Sequence, residues 1–181
     1  MYKVVVGEAL KTLINDVVKY QSHNDIDGMI KCLREMTKFP SSIMASMPRF
    51  DSDEVLLYVD NNITVYYIST TPNIIYPPHE HCMPAISALY KGTETHVFYD
   101  RDGENLIKRD ELTFKAPSVI NLTTDAIHAI CTYDDEPNEG LHFYLGDLES
   151  QTRTLWDCSG KNPQQYIHED YYALSKIFFK N

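Results

Sequence analysis

Between Val55 and Trp156 the chain reads as a succession of short β-branched and aromatic runs broken by turn residues, and nothing else in it constrains the fold as tightly. The runs are Val55 to Val59, Ile63 to Ser69, Pro84 to Tyr90, Thr93 to Tyr99, Leu106 to Phe114, Val119 to Leu122, Ile127 to Tyr133, Leu141 to Leu145 and Thr152 to Trp156. Asn61-Asn62, Lys91-Gly92, Asp102-Gly103 and Asn138-Glu139-Gly140 supply the expected turns. Many short strands at even spacing predict a mainly β sandwich or barrel. Ahead of them, Ala9, Leu10, Leu13, Ile14, Val17 and Val18 recur at helical spacing. Ile26, Met29, Ile30, Leu33 and Met36 form a second stripe before Pro40. Two amphipathic helices joined at His23-Asn24-Asp25 follow from this pattern. The tail from Pro163 to Phe179, with Tyr166, Tyr171, Tyr172, Leu174 and Ile177, predicts a third helix packed on the outside. The expected organisation is a single domain over 1–181, with a helical flank at 1–50, a β-barrel at 51–158 and a helical tail at 159–181.

Composition sets bounds on function. Of 181 residues 43% are hydrophobic, enough for a full core. A net charge of −10, with no Lys/Arg cluster larger than a pair, repels a phosphate backbone, so nucleic acid is not an expected partner. No apolar run approaches a membrane span, and Glu8 interrupts any signal-like apolar start, so a soluble cytoplasmic protein is expected. Cys32, Cys82, Cys131 and Cys158 are widely spaced with no Cys-x-x-Cys pair. Free thiols fit better than a thiolate metal site or a disulfide framework.

The chemistry concentrates around Pro77-Pro78-His79-Glu80-His81-Cys82-Met83-Pro84-Ala85. If this stretch is a strand, its period of two points His79 and His81 to one face, close enough to hold one metal ion. The alternative is a pair of surface histidines beside a Pro-Pro turn. Cys82 takes the opposite face and reads as a small core residue. His142 and Tyr144 share a face while Leu141, Phe143 and Leu145 take the other. They line a barrel interior if the aliphatic face packs on helices, or form a plain buried, hydrogen-bonded pair. Alternation also groups Glu94, His96 and Phe98. A Glu two residues after a turn glycine is ordinarily solvated, and His96 reads as a bystander.

From His81, three residues lead to Ala85 and six more to Gly92. This spacing resembles the first motif of the cupin superfamily, His-x-His, three or four residues, Glu, six residues, Gly, with Ala85 at the acidic position. His128, in Pro117-x5-Thr123-x-Asp125-x2-His128-x3-Thr132, stands where the second cupin motif places its metal ligand. With alanine at the acidic position the chain resembles the three-histidine branch typified by cysteine dioxygenase. Gly140-x-His142-x-Tyr144 falls where that family carries a Ser-x-His-x-Tyr strand. The chain is also similar to a bacterial group of predicted metal-dependent, double-stranded β-helix enzymes related to cysteine dioxygenase. That similarity runs through Gly92-Thr93-Glu94, Phe98-Tyr99, Leu141-His142-x-Tyr144-x-Gly146-Asp147-Leu148 and Trp156-Asp157. It covers roughly the central hundred residues, and the joint spacing carries it.

The resemblance implies a cupin double-stranded β-helix holding a metal on His79, His81 and His128, with Glu94 as an additional ligand if its strand face turns inward. Neutral imidazoles leave a divalent ion its full charge and open positions, which suits an anionic chelating substrate beside O2. Fe(II) is the implied metal, while Zn, Ni, Mn and Cu also accept imidazole donors. The implied activity is a thiol-dioxygenase-like oxidation of a small molecule, with His142 orienting the hydroxyl of a catalytic Tyr144. Gly140 in place of serine removes one member of that relay. The alternatives are a non-oxidative isomerase, hydrolase or lyase on the same site, and a non-catalytic small-molecule or metal-binding protein. The arginine that binds substrate carboxylate in cysteine dioxygenases has Leu56 as its counterpart, leaving Arg101, Arg109 and Arg153 as candidates. The cysteine crosslinked in some members falls at Ile86. A small molecule and O2 are the expected partners, and a homodimer is allowed.

Overall fold

The computed structural model describes residues 1–48, 50 and 52–178. The predicted helices form as α1 (Glu8–Ser22) and α2 (Ile26–Lys38), followed by α3 (Ser41–Ser46), which the periodicity does not announce. Leu10, Leu13, Ile14 and Val17 of α1 and Met29, Leu33 and Met36 of α2 are the buried stripes. Asp25 caps α2, its carboxylate accepting a hydrogen bond from the Gly28 amide at 2.9 Å.

The strands are β1 (Glu54–Val59), β2 (Thr64–Thr70), β3 (Ile74–Ile75), β4 (His79–Glu80), β5 (Ala85–Lys91), β6 (Thr93–Asp102), β7 (Asn105–Lys115), β8 (Ser118–Leu122), β9 (Ile127–Thr132), β10 (Asn138–Tyr144), β11 (Thr154–Leu155), β12 (Gln164–Gln165) and β13 (Lys176–Ile177). One antiparallel sheet has the order β1-β2-β10-β5-β8. In the other, β9 is central, with β6 and then β7 along one edge. The other edge of β9 pairs with β3 and β4, two pieces of one interrupted strand. From β4 onward the chain passes back and forth between the sheets, with β4 in the second, β5 in the first, β6 and β7 in the second, and β8, β9, β10 and β11 alternating. Such winding of a chain through two facing antiparallel sheets is a double-stranded β-helix, the expected mainly β architecture.

α1, α2 and α3 cover the outside of the first sheet. Leu57, Val65, Ile86, Ala88, Leu141 and Phe143 meet the helical stripes in one apolar cluster. Period two then sends Thr64, Ser87, His142 and Tyr144 to the opposite face of those strands, toward the second sheet.

Three expectations need correction. The tail is not one helix: α4 (His168–Leu174) stands between β12 and β13, which extend the second sheet; Phe179 lies outside the described residues. Asn138-Glu139-Gly140 is the start of β10, not a turn; a Cβ on Gly140 would meet the Ala88 carbonyl at 3.1 Å, so the glycine permits close strand pairing. The hairpin of β6 and β7 runs further than the apolar pattern, pairing Asp102 with Asn105 around Gly103 (φ 62°). Ladder hydrogen bonds continue there without apolar side chains.

Candidate metal centre

Strand pairing builds the centre. His79 lies directly opposite His128 in the β4–β9 ladder. The strand is shorter than the His-x-His pattern suggests: β4 ends at Glu80, and His81 stands just beyond it, before Cys82 in a left-handed conformation (φ 55°). Cys82 is half-buried at this turn and is not the core residue expected of it. His81 nonetheless converges with the others. Ring centroids are 4.7 Å apart for His79 and His128, 5.0 Å for His79 and His81, and 5.1 Å for His81 and His128. One ligand atom from each falls within 4.8 Å of the other two, and all three residues are buried.

A second set of residues, to which the sequence pattern assigns no such role, holds His128. His96 is fully buried, and its Nδ1 lies 2.9 Å from His128 Nδ1. Its Nε2 lies 2.6 Å from Glu94 Oε1, and Asn138 Nδ2 donates to Glu94 Oε2 at 3.3 Å. Glu94 is only 1% exposed, so it is not the solvated residue expected. Its carboxylate is spent on His96, and among the described residues the cluster able to hold a metal consists of His79, His81 and His128. His96 is accordingly no bystander. Opposite a carboxylate, His96 Nε2 must carry a proton and donate it. With His96 neutral, its Nδ1 is then an acceptor, His128 Nδ1 donates to it, and His128 Nε2 keeps a free lone pair. The same end is reached at His79, whose Nδ1 donates to the Pro77 carbonyl at 3.2 Å and leaves Nε2 free.

Electrostatics keeps the rings of His79, His81 and His128 neutral. Burial pushes His79 down to about 3, and the charge of Arg153 adds to the effect. Burial lowers His81 and His128 well below the ordinary value as well, helped by His79 beside both. Burial raises Glu94, but the hydrogen bonds it accepts from His96 and Asn138 act against this, and it is held below the usual range. His79 Nε2 and His81 Nε2 lie only 3.2 Å apart. Even with a proton shared between them, His81 Nδ1 and His128 Nε2 are buried without a partner. Orphaned nitrogens on converging neutral imidazoles are what a divalent cation satisfies, so the residues fit a metal.

The surrounding wall differs from expectation in one contact. His142 does not orient Tyr144: the rings are 6.4 Å apart, and His142 Nε2 pairs with Ser87 Oγ at 3.0 Å. Ser87 is directly opposite His142 on the neighbouring strand, which puts its hydroxyl within reach. Tyr144 sets its ring against His81 at 4.8 Å, and burial raises its pKa, so it stays protonated. Arg153 is the sole Lys or Arg among the lining residues. Its guanidinium stacks on Tyr166 at 3.8 Å, and its buried Nε has no partner. Arg101 instead pairs with Glu80 at 2.6 Å and Arg109 with Asp100 at 3.1 Å. Tyr166 and Tyr171 of the tail close over His79. The cavity is about 40 Å³, and a surface cleft of about 510 Å³ shares Glu54, Leu148, Arg153 and Tyr166 with it. Among the described residues no helix is long and apolar enough to cross a membrane.

No protein-family model and no curated protein matches the chain. Solved structures do. An RmlC-like cupin family protein with a double-stranded β-helix fold from Methanocaldococcus jannaschii is similar over 57% of this chain and 90% of its own, at 12% identity and a TM-score of 0.47. A cupin superfamily protein from Desulfitobacterium hafniense DCB-2 is similar over 56% of this chain and 84% of its own, at 15% identity and a TM-score of 0.43. The DMSP lyase of Ruegeria pomeroyi DSS-3 is similar over 52% of this chain and 44% of its own, at 20% identity and a TM-score of 0.42.

Proposed function

We propose that the chain is a non-haem metal enzyme in which His79, His81 and His128 hold Fe(II), and that it oxidises a small anionic, chelating substrate with O2. The observation that carries the reading is the convergence of three buried neutral imidazoles, two of them with orphaned nitrogens, in a cavity whose one cation is Arg153. When bound, the metal supplies Lewis-acid and redox chemistry with open positions, because three neutral donors leave its charge uncompensated.

The remaining steps belong to the chain itself. Arg153 receives the substrate's anionic group: its Nε lacks a partner, and the Tyr166 ring holds the guanidinium plane in place. Tyr144 keeps its proton and offers it as a hydrogen bond near His81. The tyrosines of the tail exclude water. A cavity of about 40 Å³ has room for a few water molecules, and it shares Arg153 and Tyr166 with the adjoining cleft, so substrate enters from the cleft past Tyr166.

Metal analysis of protein purified without chelator, followed by O2-uptake assays of the iron-loaded protein with small thiols and chelating acids, tests the reading. Stoichiometric iron and substrate-dependent O2 uptake are expected. Turnover without O2 uptake would replace the oxygenase with a non-oxidative lyase, isomerase or hydrolase on the same centre. Tight ligand binding without turnover would make it a sensor or carrier. Tyr144→Phe should retain metal and lose roughly 10- to 1,000-fold in turnover, the range for one positioned donor.

A further inference from the structure

Strand β7 forms the outer edge of the second sheet: it hydrogen-bonds to β6 and, among the described residues, to no other strand. It is 11 residues long, and from Ile107 to Thr113 every residue is exposed. Exposed edges invite pairing with another chain, and the usual defence is charge of one sign, lysine above all, which repels a second edge. β7 carries the opposite arrangement. Its centre reads Ile107-Lys108-Arg109-Asp110-Glu111-Leu112, in which the sign of charge inverts about the midpoint and an apolar residue flanks each end.

In a regular strand this symmetry would be useless, because residues an odd number apart point to opposite faces. The ladder removes the obstacle. Tyr99 pairs with Lys108 and Phe98 with Asp110, so Arg109 is the extra residue of a bulge. Lys108 and Glu111 therefore stand opposite Tyr99 and Val97, two apart on β6, and share one face. Ile107 and Leu112 stand opposite Asp100 and His96, four apart, and share the other. Ile107 is 57% exposed and Leu112 44%, large apolar side chains without cover.

We infer that β7 pairs antiparallel with β7 of a second copy of this chain about a two-fold axis between Arg109 and Asp110, joining two sheets into one. Each Lys108 then faces Glu111 of the second copy, each Ile107 faces Leu112, and Arg109 meets Asp110 beside the axis. The isologous geometry is the commonest route to a homodimer. Within one chain Lys108 reaches Glu111 at 2.5 Å and Arg109 reaches Asp100, all at the surface, so exchanging these contacts for intermolecular ones costs little.

The charge pattern gives a test that an effect within one chain cannot imitate. Wild-type protein in sedimentation equilibrium should approach twice the chain mass as concentration rises. Lys108→Glu and Glu111→Lys should each weaken self-association at least about 10-fold, since both 108–111 contacts across the axis become like-charged. An equimolar mixture of the two variants should recover the dimer, because each chain then presents the charges that the other lacks. Leu112→Asp, which leaves the ion pairs alone, should also give monomer, and circular dichroism would confirm that these exposed-strand variants fold. A monomeric wild type, a dimer that persists in both single variants, or a mixture that stays monomeric would each overturn the proposal.

Discussion

The two faces of the five-stranded sheet are made by the same strands and obey different rules. On the helix side, Ile86, Ala88, Leu141 and Phe143 are buried in an apolar cluster with α1 and α2. On the cavity side, one residue along, Ser87, His142 and Tyr144 face a buried cavity that the second sheet completes with His79, His96 and His128. The first face lowers free energy by removing apolar area from water. The second must satisfy each polar group it buries or leave the deficit for a ligand. Among the described residues five buried side-chain atoms have no partner, and three of them, His81 Nδ1, His128 Nε2 and Arg153 Nε, belong to residues lining the cavity. Stability sits on one side of the sheet and unfinished coordination on the other.

The largest effect should come from the dry face. Phe143→Ala removes a fully buried ring beneath the helices and should cost about 3–5 kcal/mol in chemical denaturation. Protein that stays folded should bind metal with little change, since no ligand is touched. Metal affinity falling in step with stability would show that the two faces are one cooperative unit.

Glu94→Gln addresses the polar face. The amide removes the negative charge that fixes the His96 proton, and with it the tautomer of His128. Metal affinity in a chelator competition should fall about 10- to 100-fold, as for other outer partners of ligating histidines. Unchanged affinity would mean that His128 needs no help from Glu94.

Acid separates the faces without mutation. His79 is held down to about 3 and His142 to about 4 in the folded state, mainly by burial, against an ordinary 6.5. Between these values the unfolded chain binds protons that the folded one refuses, so stability is full above 6.5 and falls as pH drops toward 4. From pH 6.5 to 5.5 each such histidine costs about 1 kcal/mol. Metal-free protein should show this loss in denaturation midpoints, and Phe143→Ala should follow the same slope. A flat profile would refute buried neutral histidines.

The sheet's apolar face and the His-x-His pattern are legible in the sequence because both depend on neighbours along one strand. The relay is not. His96 reaches His128 because β6 pairs with β9 in a register that sets Phe98 opposite His128 and His96 opposite Ile130, leaving the two histidines diagonal on one face. Ser87 reaches His142 by the β5–β10 register. No local pattern encodes either pairing. Glu94 looks solvated in sequence for the same reason, since its partners His96 and Asn138 reach it through the fold and not through an apolar pattern. The tail shows the converse error. Its tyrosines suggest a helical stripe, whereas backbone pairing of Lys176 and Ile177 with Ile75 and Ile74 shortens the helix to α4.

The smallest effect compares adjacent residues of β5. Ser87 faces the cavity and gives His142 its partner, whereas Ala88 is fully buried under the helices. Ser87→Ala removes one hydrogen bond and should cost about 1 kcal/mol, with His142 Nε2 left unpaired. Because Ser87 hydrogen-bonds His142 and takes no part in the hydrogen bonds of the triad, metal affinity should not move. Ala88→Ser makes the same chemical exchange in reverse, placing a hydroxyl where nothing apolar can pair it, and should cost at least as much, about 1–3 kcal/mol. If Ser87→Ala instead strips the metal, His142 is tied to the ligands through the cavity, and the polar face is a single network extending from the Ser87–His142 pair to His128.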